Sequence, residues 1–190
     1  EHISFLVKSL ERMGVSGIIL EDKKGLKKNS LFANQINSEQ DSIKSFCKKI
    51  SLAKKSKISD DLFIVARIES FILNKGLGDA LKRAEAYSKA GADAILIHSK
   101  KKNAREIFSF AKKFIKNKYY KPLVAVPSTY SKTYEKDLTK YGFKIVIYAN
   151  HLLRAAYPAM INVAKKILIN QRSFDIEKKI SPIDEVINLI

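Results

Sequence analysis

The chain has 190 residues, is 46% hydrophobic and 29% charged, and carries a formal net charge of +17. That length supports one well-formed core and a single domain, and no apolar run approaches the roughly 20 residues a membrane-spanning helix needs. The single Cys47 excludes an internal disulfide and suits a reducing, cytoplasmic setting.

The charge keeps a basic RNA- or anion-binding module as the non-enzyme alternative. Only six of the 36 basic residues are Arg, however. The lysines scatter over predicted helix faces, as at Lys44, Lys48, Lys54, Lys82, Lys112 and Lys116. Scattered lysines make a solvated surface, so neither nucleic acid nor a membrane is the expected partner. No signal peptide is visible. The chain starts at Glu1 and enters a helical pattern almost at once, which fits a piece of a longer protein.

Ile3, Leu6, Val7, Leu10 and Met13 form a helical stripe that Gly14 closes. Residues 15–20 are a short apolar run that reads as a buried strand and exits into Glu21, Asp22 and Lys23. Residues 23–37 form a long polar connection, a length that compact domains reserve for functional loops or disorder. Ser38 opens a helix whose stripe is Ile43, Phe46, Cys47, Ile50 and Ala53; Cys47 reads there as a small core residue. A second strand, 62–66, exits into Arg67 and Glu69. After a turn at 74–78, a helix covers 79–90 with Ala80, Leu81, Ala84 and Tyr87 inward. A third strand, 92–97, exits into His98, Ser99 and Lys100, and a helix follows over 104–117. The fourth strand, 123–126, exits into Ser128, and a short helix ends at Gly142. The fifth, 145–149, exits into Asn150 and His151. A long helix starts near Asn150, and Pro158 should kink or restart it. Ser181 and Pro182 start a last helix with the stripe Ile183, Val186, Ile187 and Ile190.

Alternating strands and helices imply a parallel sheet, because parallel strands need crossover connections. In such sheets the C-terminal strand ends gather on one side. Glu21, Arg67, Glu69, His98, Ser128 and Asn150 are therefore expected to converge there. Five strand–helix units look like part of an eight-fold barrel, for which roughly 250 residues are typical. An open doubly wound sheet is the alternative, although it lacks the usual glycine fingerprint at its first turn. No internal domain boundary is evident. From the residues alone, Arg67 reads equally well as a structural ion pair with Glu69. His98 alone reads better as a satisfied histidine at a strand end.

The segments EDK-x5-NS at 21–30, IVARIESF at 64–71, GLGDALKRAEAYSKAGADAILIHSK at 76–100 and YANHLLRAAYPAM at 148–160 together resemble the phosphoenolpyruvate mutase family of the isocitrate lyase superfamily. The resemblance runs from about residue 2 to residue 190 and is weakest between 101 and 121. The EDK-x5-NS signature belongs to the mutase branch.

The resemblance implies an isomerase that interconverts phosphoenolpyruvate and phosphonopyruvate, the entry step of phosphonate biosynthesis. It implies Mg2+ as cofactor and a modified (β/α)8 barrel whose last helix swaps with a neighbouring subunit, in a homodimer or homotetramer. Arg67 and His98 would clamp the phosphoryl group. Glu21 would belong to the metal's outer shell, acting through water. Lys27, Asn29 and Leu31 match a gating loop, with Lys23 and Ser30 also in the substrate-binding and gating segment; Asn29 would contact the migrating phosphoryl group. The family's metal-binding aspartates would lie upstream of Glu1, together with three further strand–helix units. A phosphonopyruvate hydrolase is the nearest rival, and Asn29 argues against it. A carbon–carbon lyase of the superfamily would carry a Cys-Gly-His loop, which this sequence lacks.

Overall fold

The computed structural model describes residues 2–25 and 39–189. The chain divides into two compact units, Glu1–Ile147 and Tyr148–Ile190, where the sequence reading placed no boundary.

The first unit is α/β. Its elements are α1 (His2–Arg12), β1 (Gly17–Glu21), α2 (Ile43–Ser56), β2 (Phe63–Ile68), α3 (Gly76–Lys89), β3 (Ala94–Ile97), α4 (Arg105–Phe114), β4 (Leu123–Ala125), α5 (Glu135–Lys140) and β5 (Phe143–Val146). All four strand pairings are parallel, and the spatial order is β1-β2-β3-β4-β5. That order never reverses. A doubly wound sheet needs a reversal to cover both faces, so the described strands do not have that topology.

Period-two alternation sorts each strand between two faces. Ile18, Ile64, Ala66, Ile68, Ile95, Ile97, Leu123 and Ala125 point to the helices. There they meet Val7 of α1, Phe46 and Ile50 of α2, Ala84 and Tyr87 of α3, Ile107 and Phe110 of α4, and Leu138 of α5. The other face carries its own apolar cluster of Val65, Ala94, Leu96, Val124 and Val126. Two stripe residues expected inside α1, Leu6 and Met13, lie exposed, and Val7 alone is buried there.

The main departures from the expected boundaries have identifiable causes. α2 starts after Ser42, whose hydroxyl accepts the Ser45 N–H at 3.1 Å. The preceding residues are committed elsewhere: Lys23 and Gln40 form an antiparallel bridge, Lys24 N–H donates to Glu39 C=O, and Asp41 N–H donates to Asp22 C=O. β5 begins at Phe143, directly after the turn at Gly142, and an irregularity opposite Leu123 and Val124 shifts its register past Lys144. Gly142 has φ +83°, and a Cβ there would stand 2.9 Å from the Tyr120 hydroxyl. That hydroxyl donates to the Gly142 carbonyl.

The second unit holds α6 (His151–Asn170), α7 (Phe174–Glu177) and α8 (Ile183–Ile187). α6 continues through Pro158 as one helix, so it does not restart there. Among the described residues no helix is long and apolar enough to cross a membrane.

One buried polar cluster ties the first unit together. Asp22, fully buried, accepts hydrogen bonds from the Tyr87 hydroxyl at 2.7 Å, the Gln40 amide at 2.8 Å, the Glu69 backbone N–H at 2.9 Å and Arg83 Nη1 at 3.2 Å. Arg83 also bonds Asp79 and the Asp41 carbonyl. Burial raises the Asp22 pKa, while the bonds from Tyr87, Glu69 and Gln40 and the charge of Arg83 pull it back. Removing the acceptor breaks the buried Asp22–Arg83 pair, leaving Arg83 with Asp79 as its carboxylate partner, and leaves the Tyr87, Gln40 and Glu69 donors without this acceptor. Asp22→Ala in the full-length protein should therefore cost about 3–5 kcal/mol in urea denaturation. A loss below about 1 kcal/mol, the size of an exposed ion pair, would show that the cluster does not hold the fold.

Candidate functional site

The site lies where β1, β2 and β3 end. Glu21 pairs with Arg67 in the β1–β2 register, and Arg67 pairs with Leu96 in β2–β3. Glu21, Arg67, Glu69 and His98 fall on the alternation that faces away from the helices. Asp22 falls on the opposite alternation and points into the buried cluster described above. The β1 exit thus places a carboxylate on each side of the sheet.

Glu69 is the innermost of the charged groups, with no exposed side-chain surface. Its Oε1 accepts from Arg67 Nε at 2.8 Å, and its Oε2 lies 4.0 Å from Lys23 Nζ. Arg67 Nε also lies 3.8 Å from Glu21 Oε2. Two carboxylates and two cations therefore balance one another, which makes the burial of Glu69 and the partial burial of the other three tolerable. Lys23, expected to meet substrate from a loop, sits at the start of that loop with its side chain 4% exposed against Glu69.

His98 is buried, and its Nδ1 has no hydrogen-bond partner among the described residues. Burial, followed by the positive charges of Arg67 and Lys23, pushes its pKa down to about 4, with Glu69 opposing. The imidazole is thus neutral at physiological pH. It can donate one N–H and accept at the other nitrogen, and it carries no charge.

The structure unites Glu21, Lys23, Arg67 and Glu69 by ion pairs and places His98 within their electrostatic reach. Ser128 lies in a tight turn, its N–H donating to the Val126 carbonyl. Asn150 belongs to the second unit. Lys27, Asn29, Ser30 and Leu31 lie outside the described residues. Cys47 is half-buried on α2, its thiol bonded to the Ala86 carbonyl and pushed up in pKa by burial, as suits a packing residue. Among the described residues no group of three His, Cys, Asp or Glu side chains is placed to hold a metal.

Asp22, Gln40 and Arg83 were not anticipated as supports of the site. The available signal was Asp22 itself. After a strand ending at Glu21, alternation sends Asp22 to the helix side, where a carboxylate needs buried donors.

The phosphoenolpyruvate phosphomutase family model matches residues 1–168. The chain is 41% identical over 184 residues to the phosphoenolpyruvate phosphomutase of Tetrahymena pyriformis, covering 97% of this chain and 60% of that protein. Its fold superposes on the crystal structure of the phosphoenolpyruvate phosphomutase from Streptomyces platensis subsp. rosaceus with a TM-score of 0.91 at 35% identity, covering 98% of this chain and 63% of that one. A phosphonopyruvate hydrolase in complex with oxalate and Mg2+ matches with a TM-score of 0.86 at 34% identity, over 98% of this chain and 62% of that one. The chain thus spans a little under two thirds of the length of these proteins. With the match running through all five strands and the charged strand ends, the chain belongs to the phosphoenolpyruvate phosphomutase family.

Proposed function

We propose that this chain carries the phosphoryl-binding part of a phosphoenolpyruvate phosphomutase, an isomerase that interconverts phosphoenolpyruvate and phosphonopyruvate. The observation that carries the reading is the placement of Arg67 and His98 on one face of adjacent strand ends, with Lys23 beside them. Moving a phosphoryl group between enol oxygen and carbon needs positioning and electrostatic stabilisation more than covalent help from the protein. Arg67 supplies a planar cationic donor suited to phosphoryl oxygens. His98, neutral, donates a hydrogen bond without delivering a proton to the migrating group. Lys23 adds positive charge at the β1 exit. Asn29, from the EDK-x5-NS signature, would hold the group by an amide that is neither nucleophile nor base, and Lys27, Ser30 and Leu31 would complete that segment. Keeping water from the intermediate is what separates transfer from hydrolysis.

Mg2+ is the proposed cofactor, supported by the hydrolase complexed with Mg2+ and oxalate. When bound, it would neutralise the negative charge on the substrate's carboxylate and enolate oxygens. Of this chain's residues, Glu21 would reach it, through water. The inner-sphere ligands would come from sequence outside the 190 residues, along with the strands that close an eight-unit barrel. The unbroken strand order and the apolar cluster on the inner sheet face support that architecture. Within the second unit, Leu152, Leu168, Ile169, Phe174 and Ile183 are exposed. Such a surface supports packing of the terminal helices on a second copy, in a homodimer or homotetramer.

Phosphonopyruvate hydrolase is the second reading, favoured by the structural likeness at nearly the same identity as to the mutase. Phosphorus NMR of the full-length protein with phosphonopyruvate and Mg2+ separates the two. The mutase converts it to phosphoenolpyruvate with little free phosphate; dominant inorganic phosphate with pyruvate would overturn the reading and establish the hydrolase.

The neutral state of His98 has its own signature. The unfolded chain protonates this histidine near 6.5, whereas the folded one resists until about 4, with Arg67 and Lys23 opposing the added charge and Glu69 favouring it. The folded pKa is depressed, so the associated stability is fully present above 6.5 and is lost as pH falls through that window toward 4. His98→Gln cannot titrate. Between pH 6.5 and 4 the wild-type Tm should therefore fall more steeply than that of His98→Gln. Parallel slopes would contradict a buried neutral imidazole.

A further inference from the structure

We propose that Glu69 is a positioning residue for the phosphoryl clamp. One buried carboxylate fixes Arg67 through one oxygen and draws Lys23 with the other, so that a cation from β2 and one from the β1 exit face the same anion. The inference rests on the phosphoryl-binding reading above and assigns within it a residue that touches no substrate.

The geometry carries the argument. Residues 67 and 69 stand two apart at the end of β2, on one face of the sheet. Glu69 Oε1 takes Arg67 Nε at 2.8 Å, and Oε2 stands 4.0 Å from Lys23 Nζ. Lys23 comes from the β1 exit and Arg67 from β2, and two cations brought this close repel each other unless a carboxylate lies between them. Glu21 could serve Arg67, yet its oxygen is 3.8 Å from Nε, beyond a hydrogen bond. Of these two carboxylates, Glu69 is the one that takes the hydrogen bond from Nε.

The carboxylate is itself held from behind. Its backbone N–H donates to Asp22 Oδ1 at 2.9 Å. Asp22 is bound in turn by Gln40, Arg83 and Tyr87. Gln40 also donates to Ser70 Oγ, and Ser70 donates to Asp79. The peptide that carries Glu69 is thus braced by a buried network continuous with α3. A buried ion pair of this kind adds little to stability compared with a packed apolar group, so fold stability alone does not account for it. Placement of a reacting group does, because a misplacement of about 1 Å can cost on the order of 100-fold in rate.

The test is a double-mutant cycle on the full-length protein, with kcat and KM for phosphonopyruvate as readouts. Arg67→Ala should lower kcat/KM by about 100-fold or more. Glu69→Gln should raise KM on the order of 10- to 100-fold through the misplaced clamp. In the Arg67→Ala background, Glu69→Gln should have a markedly smaller effect on kcat/KM, because only Lys23 remains for it to position. Should Glu69→Gln fail to fold, Glu69→Asp carries the same test. It keeps the charge but is one methylene too short to bind Arg67 and reach Lys23 together, and it should raise KM in the same way. An unchanged KM in the folded Glu69 variant, or an undiminished effect in the Arg67→Ala background, would overturn the positioning role. Retention of kcat/KM by Arg67→Ala would instead overturn the phosphoryl clamp itself, and the positioning role with it.

Discussion

The carboxylate of Asp22 lies fully buried and accepts hydrogen bonds from Gln40, the Glu69 backbone, Arg83 and Tyr87. These donors come from the limb before α2, the exit of β2 and the body of α3. A charge taken out of water at that depth is sustained only when its partners are all in place. The cluster therefore fixes three segments relative to the β1 exit at once. Two groups on the functional face of the sheet are set by those segments: Lys23 follows Asp22 in the chain, and the Glu69 N–H donates to its oxygen.

The alternation of a strand then divides the labour. Glu21 and Lys23 flank Asp22 and share the face that carries Arg67 and His98, while Asp22 serves the helix side. One tripeptide thus links a structural network to a binding surface with no intervening element. The same economy appears at β2, where Ile68 packs against the helices while Arg67 and Glu69 turn to the site. The apolar cluster of Val65, Ala94, Leu96, Val124 and Val126 underlies these groups and keeps their surroundings of low polarity. That setting strengthens the ion pairs and keeps His98 neutral.

Four of the five strands were legible in the sequence because they are continuous apolar runs bounded by helical periodicity, as suits β3 and β4, buried on both faces. β5 was placed two residues late: Ile147 and Tyr148 prolong the apolar run, and no local feature marks the irregularity beside Lys144. The start of α2 was set at Ser38 because capping residues are read locally. The true cap, Ser42, is selected by the pairing of 39–41 with 22–24, a long-range contact invisible to periodicity. Arg67 and His98 were legible as strand-end polar groups, and the motif resemblance gave them roles. Glu69 was legible as a strand-end polar group and as a partner of Arg67, but not as the anchor between Arg67, Lys23 and the Asp22 network. Arg83 went unread because a basic residue on a lysine-rich helix looks like surface until the inward positions Ala80, Ala84 and Tyr87 are seen to share its face.

The most direct measurement is a crystal structure of the full-length protein with Mg2+ and an unreactive phosphonate analogue of phosphonopyruvate. The account predicts phosphonate oxygens about 3 Å from Arg67 and from a ring nitrogen of His98, with Arg67 Nε still bound to Glu69. A phosphonate group lodged away from both Arg67 and His98 would contradict it.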